Sequence, residues 1–315
     1  MPATGILVPP GLVIGIAEFA RQTEDLGFDT LWLAEDCFLN GGFSQAATVL
    51  AATTRITVGL GILPAAARHP AFAAMEVATL ARLHPGRLVV GLGHGMPNWM
   101  RQLDLWPASP LTLLEETFVA MRALLNGECV TMDGRYVRLH DVRLGNPPDV
   151  QPLLMAGVRG PRSLRLAARL SDGIVLAEPV GPEYLAWVRR EVGADFAGSI
   201  VAYNVAAVDD DAAVARDRAR GGLSWIGEAD WEPHIAPLPF AAAFADARRN
   251  AASREEFAAE MPDSWVDQLS VTGDPATARA RLRVLHSAGV DDAVFIPAGP
   301  DPHHALRSLA AVLRV

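Results

Sequence analysis

Short apolar runs alternate along the chain with longer stretches in which apolar residues return every three or four positions. That alternation is expected when parallel strands are joined by crossover helices. Gly5 to Val8 is an apolar run closed by Pro9-Pro10, after which Ile16, Phe19, Ala20, Thr23 and Leu26 keep a helical spacing until Gly27 stops it. Further strands are expected at Thr30 to Ala34, Ile56 to Leu60, Arg87 to Leu92, Pro152 to Ala156, Gly173 to Ala177, Ile200 to Ala207 and Ala293 to Pro297. Between them the pattern predicts helices over Phe43 to Ala52, from Pro70 to the break at Pro85-Gly86, and over Pro110 to Leu125, Pro161 to Leu170 and Pro182 to Val192. A small hairpin is expected over Val130 to Leu139, turning at Asp133-Gly134. Asp211 to Ala288 is too long for one crossover and reads as several helices, partly an insertion (about 211–270), with Pro233, Pro237 and Pro239 marking an irregular connection. Eight near-continuously apolar strands, each followed by a helix, predict a single α/β domain over 1–315, a (β/α)8 TIM barrel; a doubly wound sheet is the second choice.

Composition narrows the chemistry. The chain has 315 residues, half of them apolar, enough for one large core. Its net charge of −9 argues against a sequence-independent grip on nucleic acid, so an anionic ligand needs a local basic pocket. All 27 basic residues are Arg; with no Lys, Schiff-base chemistry and a P-loop lysine are excluded. Cys37 and Cys129 form no CxxC pair and indicate a reducing compartment. Met1 to Pro10 lacks a basic stretch followed by a long apolar run, and no span suits a membrane, so a cytoplasmic location is expected.

In a barrel of this type functional groups gather at the C-terminal strand ends. Strand five is followed by Gly157, Val158, Arg159, Gly160 and Pro161, a glycine loop entering a helix, whose free N–H groups suit a phosphate. Arg162, Arg165 and Arg169 continue along that helix; the alternative is a solvated Arg face beside an ordinary turn. Gly91-Leu92-Gly93-His94-Gly95 fails as a dinucleotide fingerprint at Met96 and reads either as backbone approach to a flat ligand or as a tight turn. Gly59 and Gly61 suggest a bulge after strand three against which a ring could pack. Glu35 and Asp36 are adjacent, so they point to opposite faces and form no dyad; one could face the cavity. Glu178 stands at the end of strand six. His69 and His94 are each a ligand contact or a capping or packing residue. His303-His304 lacks further metal ligands, and neither HExxH nor GxSxG occurs; no metal is expected.

Taken together, Leu31 to Asp36, Arg68-His69-Pro70, Gly86 to Gly93, Gly157 to Leu164 with Ala167 to Gly173, Val271 to Pro275 and Ala288 to Val290 resemble the bacterial-luciferase-like barrels. Glu35-Asp36 before Gly41-Gly42-Phe43, the run Gly95 to Gln102, and Gly157 to Pro161 are most similar to the branch using the deazaflavin coenzyme F420, including methylenetetrahydromethanopterin reductases. The resemblance implies a homodimeric oxidoreductase that moves a hydride between F420 and a small organic substrate, with an FMN-dependent monooxygenase as the alternative. It also implies a non-proline cis peptide at Gly61-Ile62 behind the ring and the coenzyme phosphate on Gly157 to Pro161. Asp36 stands where many relatives carry His, and Met96 where some carry a carboxylate. Asp36 is therefore the first candidate for the proton-handling group, with His69 beside the substrate.

Overall fold

The apolar runs pair edge to edge because each buries both faces, one toward the barrel axis and one toward the surrounding helices. In the computed structural model, which describes residues 2–313, eight parallel strands close on themselves. They are β1 Ala3–Leu7, β2 Thr30–Leu33, β3 Thr57–Pro64, β4 Leu88–Gly93, β5 Leu153–Gly157, β6 Gly173–Leu176, β7 Ser199–Val208 and β8 Asp292–Pro297. Neighbours in sequence are neighbours in space, β8 returns to β1, and both β6 and β8 pair with β7, so the ring is complete and an open doubly wound sheet is ruled out. Residues 1, 314 and 315 of the span expected for the barrel domain lie outside the described residues.

The connecting helices start where the sequence signals. Pro occupies the first turn of Pro70–Leu83, Pro110–Leu125, Pro161–Leu170 and Pro182–Val192, where its missing N–H costs no helical bond. Asp211, Asp274 and Asp301 cap later helices through their side chains. The hairpin pairs Val130–Asp133 with Arg138–Val142, three residues further than expected. The Glu116 carboxylate accepts the N–H groups of Arg135, Tyr136 and Val137 at 2.8, 2.8 and 2.9 Å, pinning the turn to its neighbouring helix.

Of three interior clusters the largest packs the strands against the surrounding helices, and the other two bear on the mouth. The barrel axis is filled by Leu7, Trp32, Met155, Val175, Val201, Tyr203 and Val294. Residues between β7 and β8 form their own core around Trp231, Phe244, Phe257 and Met261, carried on short helices such as Ala212–Gly222 and Ala241–Asn250. Pro233 lies inside one of these short helices, Glu232–Ile235. Two elements have no counterpart in the sequence pattern: a helix Pro97–Gln102 after β4 and a short strand Val271–Gly273 beside β7.

Candidate active site at the barrel mouth

β3 runs to Pro64, four residues beyond the expected end, and its register against β4 shifts between Leu60 and Leu63. The shift holds Gly61-Ile62, whose peptide bond is cis, as the resemblance implies. The glycines around it are explained by the side chains they admit. A Cβ on Gly59 would lie 2.3 Å from the Trp32 ring, and one on Gly61 would lie 2.1 Å from the Tyr203 hydroxyl. Gly91, Gly93 and Gly157 make room for Ile62, which a Cβ on them would meet at 3.0, 3.1 and 2.2 Å. Gly93 also faces the Gly157 carbonyl, 2.6 Å from where its Cβ would be. Thus the paired glycines of β3, β4 and β5 first serve the packing of Trp32, Tyr203 and Ile62, and the bulge they shape lies at the mouth.

Beneath the bulge the Trp32 indole donates to Asp292 Oδ2 at 2.9 Å, and the Thr30 hydroxyl donates to the same oxygen at 2.8 Å. Burial pushes the Asp292 carboxyl up to about 6, helped by the nearby Asp29 and Asp291 charges and opposed by those two hydrogen bonds.

Glu35 and Asp36 lie beyond the end of β2 and both line one cleft, so the opposite faces expected for a strand are not seen; they differ in that only Glu35 is paired. Arg68 grips both oxygens of Glu35, with Nη1 at 2.6 Å from Oε2; the Gly42 N–H donates to Oε1 at 3.2 Å, and the Arg68 guanidinium lies over the Phe43 ring. Asp36 faces a cleft of about 320 Å³ bounded by Cys37, Phe38, Leu39, Pro64, Ala67 and Arg68. Burial pushes its carboxyl above the usual range. His69 is placed elsewhere: exposed, it accepts the Ala71 N–H through Nδ1 at 3.3 Å and caps the helix beginning at Pro70. Of its two sequence readings the capping one describes its contacts.

On the far side Gly157, Val158 and Gly160 lead into the helix that starts at Pro161, whose N-terminus no side chain among the described residues caps. Apart from its chain neighbours, no described residue places an atom within 4 Å of where a Gly160 Cβ would stand, so this corner is open. Arg159 leans over the Trp231 ring, 4.4 Å from its centroid, and donates to the Asp230 carbonyl at 3.2 Å. The remaining arginines turn outward: Arg162 is exposed, Arg165 pairs with Glu191 at 2.7 Å, and Arg169 with Glu115 at 3.5 Å. His94, half-buried between the two regions, contacts the Ser163 hydroxyl through Nε2 at 3.0 Å, and burial lowers its pKa. Burial thus favours its neutral form.

Three residues at the mouth gain a role only from the assembled fold. In the sequence Glu178 is no more than the residue at the end of strand six, and nothing in the pattern singles out Tyr203 or His234. His234 stacks on Tyr184 with centroids 4.1 Å apart, and its Nδ1 meets the Pro179 carbonyl at 3.2 Å. Burial first, then the Arg159 charge, lowers its pKa to about 3, so it stays uncharged and holds the loop after β6 against the late helices.

A closed eight-stranded α/β barrel with an uncapped helix start, a glycine-shaped bulge and, among the described residues, an unpaired Asp36 carboxyl at its C-terminal end defines a barrel enzyme acting on small molecules. Residues 13–292 match the family model described as luciferase-like monooxygenase. The chain is 31% identical over 318 residues to a 5,10-methylenetetrahydromethanopterin reductase of Methanolobus tindarius, covering 95% of each chain. Among solved structures, the coenzyme F420 dependent tetrahydromethanopterin reductase of Methanopyrus kandleri superposes with a TM-score of 0.85 at 21% identity, covering 98% of this chain and 97% of that one. An F420-dependent secondary alcohol dehydrogenase, solved with an F420-acetone adduct, superposes with a TM-score of 0.77 at 20% identity over 99% of both chains. The protein belongs to the luciferase-like monooxygenase family.

Proposed function

We propose that the protein is an F420-dependent oxidoreductase acting on a small organic substrate. The observation that carries this reading is the pairing of an uncapped helix start beside open space at Gly160 with the glycine-shaped bulge at Gly61-Ile62. These fit a coenzyme that has both an anionic arm and a flat ring. Gly157 to Pro161 would hold the phosphate, the N–H groups of the residues before Pro161 donating to it and Pro161 setting the helix start, with Arg159 supplying a positive charge. Gly61, Ile62, Gly93 and His94 would line the ring, while Arg162 stands further out on the helix. When bound, the deazaflavin supplies the two-electron hydride exchange.

The protein's own groups do the rest. The bulge fixes where the ring can lie, the Glu35–Arg68 pair holds the β2 and β3 loops together, and the raised Asp36 carboxyl is able to hold a proton at the cleft. FMN also has a phosphate and a tricyclic ring and is the alternative. Fluorescence titration with oxidised F420 and, separately, FMN decides: F420 should saturate and FMN should not bind, and FMN binding without F420 binding would overturn the assignment.

The same reading extends to assembly and location. Phe72, Met75 and Leu83 are 64%, 50% and 67% exposed on the helix Pro70–Leu83, a stripe suited to a second copy of this chain. Light scattering should show a homodimer that Phe72→Asp with Met75→Asp converts to a monomer; an unchanged mass would reject that stripe as the interface. Both cysteines are free, which supports the cytoplasm. No helix among the described residues is long and apolar enough to cross a membrane.

A further inference from the structure

Between the loop after β5 and the surface runs a row of two indoles and two guanidinium groups. Trp225 stands in the turn Ser224–Gly227 and Trp231 in the turn Ala229–Trp231, with ring centroids 6.4 Å apart. Each indole carries a cation. Arg159, from the loop after β5, lies 4.4 Å from the Trp231 centroid, and Arg254, at the start of the helix Arg254–Ala259, lies 3.5 Å from the Trp225 centroid. The row Arg159, Trp231, Trp225, Arg254 therefore begins at the loop assigned to the phosphate and ends at solvent, where Trp225 is 48% exposed.

Its hydrogen-bonding capacity is mostly unspent. Arg254 stacks on the Trp225 ring and has no hydrogen-bond or ion-pair partner among the described residues. Arg159 donates to a carbonyl, that of Asp230, and to no carboxylate among the described residues. Trp231 is 6% exposed, yet its Nε1 donor has no partner among the described residues. The neighbouring acids are engaged or in water: Glu228 pairs with Arg248 at 3.0 Å, Glu256 accepts the Ala252 N–H at 2.5 Å, and Asp230 and Glu255 are exposed and screened by solvent. A guanidinium stacked on an indole keeps its in-plane N–H groups free, so it still offers a fork to a carboxylate.

We infer that Arg254 and Trp225 hold the carboxylates that follow the phosphate of F420, a contact that FMN, which ends at its phosphate, is unable to make. Resting on the F420 reading, this assigns a coenzyme-specificity site to the helices between β7 and β8. Beyond its phosphate F420 continues as a chain of glutamate residues. With the phosphate on Gly157 to Pro161, Arg159 is the first member of the row available to that chain and Arg254 the last. The contacts of 4.4, 6.4 and 3.5 Å set a reach that about four extended residues cover at roughly 3.5 Å each. In a protein of net charge −9 a polyanion is repelled by most of the surface, so a strip of unpaired guanidinium groups selects for it.

Binding is read by fluorescence for F420 carrying its glutamate chain and for F420 from which the chain has been removed, on the intact protein at low salt and with added salt. The tailed form is expected to bind at least tenfold more tightly than the trimmed form, with the difference shrinking in added salt. Arg254→Ala with Trp225→Ala should narrow that ratio to within threefold and leave the affinity of the trimmed form within twofold of wild type. Arg254→Glu should place the tailed form below the trimmed one. Equal affinities for the two forms in wild type, a ratio untouched by the double variant, or an equal loss for both forms would each overturn the proposal. So would hexaglutamate peptide binding as tightly as tailed F420, which would make the row a site for a free acidic peptide. Binding of neither form of F420 would defeat the coenzyme reading itself and this inference with it, a result distinct from equal binding of the two.

Discussion

The two walls of the mouth are built on opposite terms. The wall made by β3, β4 and β5 has small residues because large ones fill the space: Trp32, Tyr203 and Ile62 leave no room for Cβ atoms at Gly59, Gly61 and Gly157. The wall made by the β5 and β6 loops against the late helices has large polar and aromatic side chains with hydrogen-bonding atoms unmet among the described residues, such as Tyr184 Oη, Trp231 Nε1 and His234 Nε2. The first is a solution to a packing problem, with the Tyr203 hydroxyl left unmet inside it among the described residues. The second still has interactions to offer, so it is where a ligand or an ordered water has most to gain.

Breaking the packed wall should produce the largest effect. Gly59→Ala drives a methyl into the buried Trp32 ring at 2.3 Å, which a rigid indole held by Asp292 cannot yield to cheaply. Overpacking of this kind costs about 1–3 kcal/mol and occasionally more, and a loss at or above the top of that range is expected in urea unfolding. A loss below about 1 kcal/mol would show that the glycine is not kept for the ring. Gly157→Ala should cost less and be largely relieved by Ile62→Ala, because the clashing atom is Ile62 Cγ2.

The floor under that wall gives a pH signature. Asp292 has a folded pKa of about 6 against an ordinary 3.8, so the folded state holds its proton more tightly than the unfolded chain does. The stability this confers is complete below about pH 4, declines as the pH rises toward 6, and is gone above that. Across this window wild type should lose about 3 kcal/mol relative to Asp292→Asn, which keeps the shape but does not titrate. Denaturant unfolding at pH 4, 5, 6 and 7 checks the sign; a difference that grows with pH in wild type's favour would refute it.

At the open wall the expected effect is on binding. Arg159→Ala should weaken F420 affinity about tenfold, near 1.4 kcal/mol, through loss of the nearest positive charge. Unchanged fluorescence titration would remove Arg159 from the coenzyme site.

Much of this is legible in the residues alone, for reasons that differ by element. Strands and crossover helices announce themselves because burial on both faces leaves near-continuous apolar runs and proline marks helix starts, so the pattern places β1 to β8 within a few residues. The end of β3 lies beyond its expected place because a bulge after Leu60 interrupts the strand period without ending the strand. The glycine-rich strand ends stand out, but a sequence does not say whether a missing Cβ makes room for a ligand or for Ile62. Glu178 carries no signal of its own because it comes opposite Asp36 across the mouth only once the ring is closed. His69 sits in a motif that suggests chemistry, yet the residue before a helix-opening proline is also a capping position, and that is the contact it makes.

The arginines of the helix Pro161–Leu170 sharpen the comparison most finely, because one run of like residues divides between the two behaviours. Spacings of three and four place Arg162, Arg165 and Arg169 on one helix face, and in an acidic protein that face reads as an anion site. The barrel turns it outward, where Arg165 and Arg169 meet Glu191 and Glu115 on the neighbouring helices Pro182–Val192 and Pro110–Leu125. Exposed pairs of this kind contribute about 0–1 kcal/mol and are screened by salt. Arg165→Ala with Arg169→Ala is therefore expected to leave F420 affinity within twofold of wild type and to lower stability by less than about 1 kcal/mol, with the difference shrinking in added salt. A tenfold loss of coenzyme affinity from that variant would mean that the phosphate is gathered by the long-range field of the helix face and not by the loop at its start.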